Sequence, residues 1–429
     1  MCENTVKFIV EDNEYMLLRA LKLKIMYGDQ VKFKFLFKLG SDGSSGHPKF
    51  KQALDEENVP GSLFSTFMIG MQIIAELPNG EYEILYDNPL LNSSLSCRPL
   101  KLWFVKETTE IIKQEQERLQ KELSECTGFD WEEAGVHIEF CGWYSMNDMK
   151  VFNAHMDNNA PSVCPICRAK PTEVNRTDRD FEPISPECLS ELCMSILHFT
   201  IRVFEHLIKV GAKKRAGVFE YHARGEKKKA KVEKAFKKIQ KAFKDTLNLS
   251  IFQPRDGGKG SSNDGNTART AFEHPEFFAK QTGLSLKLIN MINTLRIALA
   301  STAKKDADKL EEFNKQLKEQ YNKECGWYPM NPTLHKGCDH SHQYVRVIPP
   351  SMSTGMTSEE PCEAAVKFAR KFQTEHAFQG DPERRNLDVF NRFLDRSNPK
   401  TIAHLEDKKV ERRANEVLPE SVEDLLLRK

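Results

Sequence analysis

The chain has 429 residues, enough for two or three domains and a substantial core. Its 63 basic and 62 acidic residues leave a formal net charge of +1, so any affinity for nucleic acid has to come from local patches and not from the field of the whole chain. No apolar run approaches a membrane span and the first thirty residues lack a signal-peptide core. With eleven irregularly spaced cysteines, this points to reduced thiols plus a metal site in an intracellular protein, with no membrane partner, and not to a disulfide framework.

Residues 1–30 are too few for a compact domain, although Tyr15–Tyr27 reads as a helix. Val31–Leu39 (VKFKFLFKL) alternates and is rich in β-formers, which predicts a strand. It runs into Gly40-Ser41-Asp42-Gly43, where Asp42 is either a turn aspartate beside a glycine or a carboxylate presented at a strand end. Leu63–Leu77 and Tyr82–Tyr86 continue as strands, and Leu102–Val105 is a further apolar run. Glu107–Cys126 is an amphipathic helix and Val136–Phe140 another strand, leading to Asn147-Asp148. This order of strands, helix and strand is an α/β arrangement.

From residue 164 to 357 the pattern turns helical. Ser190–Val210 is apolar-periodic, and residues 213–244 carry a basic run. There Lys227, Lys228 and Lys229 precede a helix with Lys231, Lys234, Lys237, Lys238, Lys241 and Lys244 on one side and Val232, Ala235, Phe236, Ile239 and Phe243 on the other. Such a stripe is either a solvated face or, given its single sign, a phosphate-binding one. A glycine- and serine-rich loop at 255–264 follows, then Gly265–Arg269, and helices at 283–300 and 306–322. Trp327, Tyr328 and Met330 read as core and not as a base-stacking platform. The last elements are a helix over Thr357–Phe372, N-capped by Ser358 and carrying Glu363, and a second over Asn386–Leu394, before a charged tail that is helical in part.

Two spaced pairs stand out. Cys164-Pro165-Ile166-Cys167 offers two thiolates on one turn, and His335 and His340 are five apart downstream. Two thiolates and two imidazoles make a tetrahedral zinc site. If one ion joins them, the chain before Cys164 and the chain after His340 lie close together. The alternative is two buried thiols and two surface histidines, and Cys188, Cys193 and Cys338 compete as ligands.

The chain resembles the Transib transposases and, more distantly, the catalytic subunit of the V(D)J recombinase. The resemblance rests on an ordered set of stretches: FLFKLGSDGSSGHPKFK (Phe35–Lys51), Cys97–Leu100, Met146–Asn153, Cys164–Asn175, Leu197–Glu205, Ser261–Arg269, Trp327–His340, Thr357–Glu363 and Asn386–Pro399. It implies an α/β RNase H-like (retroviral integrase-like) catalytic core with a large, mostly helical zinc-binding insertion. The segments are a short leader at 1–30, the first part of the core at 31–158, the insertion at 159–356 and C-terminal core helices at 357–429. By position, Asp42, Asp148 and Glu363 correspond to the three catalytic carboxylates that hold two Mg²⁺ or Mn²⁺ ions. Cys164, Cys167, His335 and His340 correspond to the ligands of one structural Zn²⁺. The implied activity is nicking, hairpin formation and strand transfer at terminal inverted repeats, in the nucleus, by a homodimer on double-stranded DNA (transposon ends and target). Arg269, Lys227, Lys228, Lys229, Lys234 and Lys238 would hold phosphates. The sequence departs from the family in its 41 residues before Asp42, in Met149 after the second aspartate, and in Ala364–Phe368 (AAVKF) after Glu363. A domesticated DNA-binding protein that keeps the fold without transposing is the alternative.

Overall fold

Lys32–Ser45 (β1) is the central strand of a six-stranded mixed sheet. The computed structural model describes residues 1–11, 13–45, 62–185, 194–253, 263–375, 382–406 and 418–427, with Leu189 and Ala377. The strands are β2 (Ser62–Glu76), β3 (Tyr82–Asp87), β4 (Arg98–Trp103), β5 (Phe129–Trp131) and β6 (Val136–Trp143), in the order β3-β2-β1-β6-β5, with β4 also on β2. Only β1 and β6 run parallel; the other pairings are antiparallel.

Both faces of the sheet are covered. On one lie helices α1 (Cys2–Val10) and α2 (Glu14–Tyr27), whose Val6, Ile9, Val10, Met16, Ala20 and Leu23 pack with Phe33, Phe35, Phe37 and Leu39. Residues 1–30 are thus part of the sheet's own core. The other face carries Leu36, Phe67, Ile69 and Met71 against helices α12 (Glu360–Glu375) and α13 (Pro382–Arg396). Covering on both sides explains why β2 is buried along nearly its whole length and is mostly apolar on both faces.

The strand predicted to stop at Leu39 continues to Ser45 because Gly40–Ser45 pair with Thr66–Ser62 and Phe67 of β2, Asp42 opposite Ser65. Asp42 therefore sits within a strand and not in a turn. A cross-strand partner supplies what the glycines and serines lack in strand propensity. Lys38, read as one of the polar positions of the alternation, is fully buried. Its ammonium donates to Asn92 Oδ1 at 3.1 Å, Met356 O at 2.9 Å and Ser358 O at 3.0 Å. It ties β1 to the segment leading into α12, some 320 residues away.

After α3 (Thr109–Glu125) and α4 (Met149–His155), the chain leaves the sheet for a helical region with its own core. Its helices are α5 (Ile196–Arg215), α6 (Glu226–Leu247), α7 (Gly265–Glu273), α8 (Pro275–Thr282), α9 (Leu286–Ala300), α10 (Ala307–Cys325) and α11 (Pro332–Val347). The central α5 buries Phe199, Val203, Phe204, Leu207, Ile208 and Val210. Met330 is buried, and Trp327 and Tyr328 pack against this core, as read from the sequence. The chain then returns to the sheet through α12 and α13, and α14 (Pro399–Glu406) follows. The tail closes back on the helical region through α15 (Glu420–Glu423): Val422 and Leu425 join its core, and Asp306 N donates to Leu425 O at 2.9 Å. No helix among the described residues is long and apolar enough to cross a membrane. Cys188, Cys193 and most of the glycine- and serine-rich run lie outside the described residues.

Candidate metal centre and acidic cluster

Cys164, Cys167, His335 and His340 are all buried, and their ligand atoms lie within 4.8 Å of one another. Among the described residues theirs is the single group of three or more Cys, His, Asp or Glu side chains that converges this closely. Cys164 Sγ is 3.6 Å from His340 Nε2, and Cys167 Sγ is 3.3 Å from His335 Nε2. A tetrahedral zinc with Zn–S of about 2.3 Å and Zn–N of about 2.0–2.1 Å places sulfur and nitrogen about 3.5 Å apart, so the donor set fits zinc. Local structure explains the pairing. Cys164 O accepts from Arg168 N at 2.9 Å, and Ala169 O accepts from Cys164 N at 2.9 Å. Arg168 takes a left-handed φ of 59° to close this knuckle. The two histidines lie on successive turns of α11, a helix opened by Asn331 as N-cap and Pro332.

The outer contacts fix both rings. His335 Nδ1 lies 2.7 Å from Asp339 Oδ2, while Lys318 donates to Asp339 Oδ1 at 2.7 Å. His340 Nδ1 lies 2.7 Å from Gln343 Oε1. Each imidazole is thereby held with Nε2 toward the thiols, the usual way a carboxylate or amide orients a metal-bound histidine. The hydrogen bond with Cys167 drives the Cys164 thiol well down, and His335 and His340 push the same way against burial. Cys338, named as a competing ligand, is buried but outside this group.

The acidic residues meet at the C-terminal end of β1. Beyond the β1–β6 pairing, Met146 N donates to Leu39 O at 2.9 Å, and Ser41 N donates to Asn147 Oδ1 at 2.9 Å. The chain after β6 therefore tracks β1 for several more residues and delivers Asp148 beside Asp42. This approach requires glycine at position 40, since a Cβ there would lie 2.2 Å from Met146 O. Asp148 N-caps α4, with Oδ1 accepting from Lys150 N and Val151 N, both at 2.8 Å. Glu363 arrives on the first turns of α12, the helix that Lys38 helps to anchor. The helix begins at Glu360, so Ser358, expected as the N-cap, lies one residue before the capping position; its Oγ still accepts from Glu360 N at 3.3 Å.

The three carboxylates share one electrostatic environment. Asp42 is pushed up to about 8, first by burial and then by the negative charges of Asp148, Glu107 and Glu363. Glu107 is a fourth member that the sequence reading missed. Burial raises its carboxyl and Asp148 adds to the rise, while its ion pair with Lys150 at 2.7 Å opposes both. A Cβ at position 43 would lie 2.6 Å from Glu107 Cβ, so Gly43 is what admits it. The only signal available in the sequence was a glutamate at the start of the predicted helix Glu107–Cys126, a position where an acidic residue is ordinary. A cavity of about 530 Å³ opens beside Asp148, lined in part by Lys150, Asn153, His198, Arg202 and Asn331.

His198 adds a cation to this corner. Its ring Nδ1 and its backbone N both contact Glu359 Oε1, at 3.1 and 3.0 Å. Burial works against the charged ring, but the Glu359 hydrogen bond and the charges of Glu359, Asp148 and Glu363 prevail and hold His198 at about 9. Because this value is raised, the stabilisation is complete below the ordinary histidine value near 6.5 and is lost as pH rises through about 9. Glu359→Gln is expected to move the His198 midpoint toward or below 6.5, read from its ring carbon shift in a pH titration by NMR.

The residues expected to hold phosphates divide into two sets. Arg269 makes a two-oxygen contact with Glu360, 2.8 Å to each, next to the helix turn that carries Glu363. Lys228 pairs with Glu220, and Lys229 with Glu226 at 2.9 Å. Lys227, Lys234 and Lys238 are exposed and take part in no ion pair among the described residues.

The chain thus combines a mixed α/β sheet, a helical region closed by a Cys2His2 group able to bind a metal such as zinc, and a carboxylate cluster where the two parts meet. Comparison with protein-family models and with curated proteins finds no match for it.

Proposed function

We propose that this chain is a Transib-like DNA transposase or recombinase with an RNase H-like core, cutting and joining double-stranded DNA in the nucleus as a homodimer on its substrate. One observation carries the reading. The charges of Asp148 and Glu363 act on Asp42, all three being expected to be catalytic from the ordered motifs, although a helical region with its own core separates Asp148 from Glu363 in the chain.

The residue types suit phosphodiester chemistry. Hard carboxylate oxygens suit Mg²⁺ or Mn²⁺, and a pair of such ions about 3.5–4 Å apart stabilises the attacking and leaving oxygens of an in-line displacement. The chain's own residues supply the rigidity. Asp42 lies on the central strand β1, where the Ser41 hydroxyl is 3.1 Å from that of Thr66 on β2, and Thr66 donates to buried Glu115 at 2.6 Å. Asp148 spends Oδ1 on its helix cap, so a cation falls to Oδ2. With no cation bound, Asp42 tends to hold a proton, which relieves repulsion among four carboxylates. Lys150 and His198 bring positive charge to the cavity beside Asp148, where a phosphate would sit.

The test is nicking of supercoiled plasmid in Mg²⁺ and in Mn²⁺ by the unaltered protein, Asp42→Ala and Glu363→Ala. Nicking that both substitutions reduce by a thousandfold or more, on the order of 4 kcal/mol in barrier, is the expected result. Absence of nicking from a zinc-loaded, DNA-binding protein would instead make it a domesticated DNA-binding protein that keeps the fold.

A further inference from the structure

A groove of about 710 Å³ lies on the helical region, lined by Arg215 at the end of α5, by Lys231, Lys234, Ala235, Lys238 and Ile239 of α6, and by Lys280 of α8. Among the described residues no acidic side chain lines it. Lys231, Lys234, Lys238 and Lys241 follow one another at helical spacing, so they form a straight stripe about 15 Å long at 1.5 Å per residue. None of the four enters an ion pair among the described residues, whereas the nearby Lys228, Lys229 and Lys237 pair with Glu220, Glu226 and Glu233. Glu226 and Glu233 of α6 are thus spent on other lysines. The Arg215 guanidinium donates to the Gln281 and Lys280 carbonyls, which braces the opposite wall.

The geometry points to this groove as a binding track for the phosphate backbone of double-stranded DNA, separate from the cutting site. The inference rests on the DNA reading above. A stripe of about 15 Å matches four to five nucleotides of one strand at about 3.4 Å each, and point charges without a partner suit sequence-independent phosphate contact. A membrane surface is disfavoured, because it requires an apolar face free to insert. Ile239 and Phe243 of α6 are buried, and Val232 and Phe236 pack against the same core.

Position adds a second element. α5 runs from His198, beside the acidic cluster, to Arg215 in the groove wall, so the two sites lie about 26 Å apart along the helix axis. That distance is about eight base pairs of duplex. The groove therefore takes flanking DNA about eight base pairs from the cut, and contributes affinity without choosing the sequence.

The experiment compares unaltered protein with the triple variant Lys231→Gln, Lys234→Gln and Lys238→Gln in binding a fluorescent DNA duplex across a salt series, with bound zinc measured as a check on folding. Loss of three phosphate contacts is expected to flatten the slope of log K against log salt by about 2.7. An unchanged slope in the zinc-loaded variant overturns the groove and leaves the cutting reading standing. Absence of salt-dependent duplex binding by the unaltered protein overturns both. Tighter binding of duplex RNA than of DNA at matched salt overturns the choice of partner. A photo-crosslinker on Lys238→Cys is expected to map about eight base pairs from the nick, and crosslinks at the nick itself overturn the offset.

Discussion

Replacing Cys167 or His335 with alanine is expected to release the zinc and unfold the helical region, with a stability loss on the order of 5 kcal/mol or more. The reason is topological. Cys167 and His335 are 168 residues apart, and the whole core of α5 to α10 lies between them. A cross-link closing so long a loop removes about 5 kcal/mol of chain entropy from the unfolded state. The ligands have little alternative use: all four are buried, and an unbound pair of thiols facing imidazoles leaves charged groups without solvent. Metal analysis by mass spectrometry and calorimetric unfolding would read the two effects together. Cys338→Ala serves as the control. It lies in the same helix and is equally buried, yet outside the ligand group, so it is expected to keep one zinc per chain. Loss of zinc in that variant, with retention in His335→Ala, would sink the assignment.

Asp42→Asn is expected to make the protein more stable at alkaline pH while removing the proposed nicking activity. The folded-state value of Asp42 is raised from an ordinary 3.8 to about 8 by burial and by Asp148, Glu107 and Glu363. Between those two values the folded chain binds more protons than the unfolded one, so stability falls as pH rises across this window, and the full penalty is present above about pH 8. An amide carries no charge and avoids the penalty. The expected signature is a melting temperature that declines from pH 5 to 8 in the unaltered protein and declines less in the variant. Above pH 8 the variant should melt a few degrees higher, at about 1 °C per kcal/mol for a chain of this length. Adding Mg²⁺ or Mn²⁺ should raise the melting temperature of the unaltered protein and leave Asp42→Asn nearly unmoved, since a cation neutralises the same repulsion. A destabilised variant with an unchanged pH slope would mean that Asp42 is a structural strand residue.

Much of the element sequence was legible. Tyr15–Tyr27, Glu107–Cys126, the helices at 283–300 and 306–322, and the strands around Ile69 and Ile138 lie within a few residues of their expected bounds. These are strongly periodic or composition-marked segments, decided by local propensity and amphipathic pattern. The zinc ligands were legible for a related reason. Each pair is close in sequence, the cysteines on one knuckle and the histidines on successive turns of one helix, while the meeting of the pairs depends on the fold.

What the sequence by itself determined, then, was the local chemistry: which segments are strands or helices, which residues could bind soft or hard metals, and where positive charge gathers. Tertiary structure alone decided the rest. It extended β1 through Gly40–Ser45 by giving those residues a partner strand, buried Lys38 by covering both faces of the sheet, and added Glu107 to the cluster through the close approach at Gly43. Each of these depends on contacts between residues distant in the chain, and such contacts are set by packing and backbone pairing, which no local window of sequence contains.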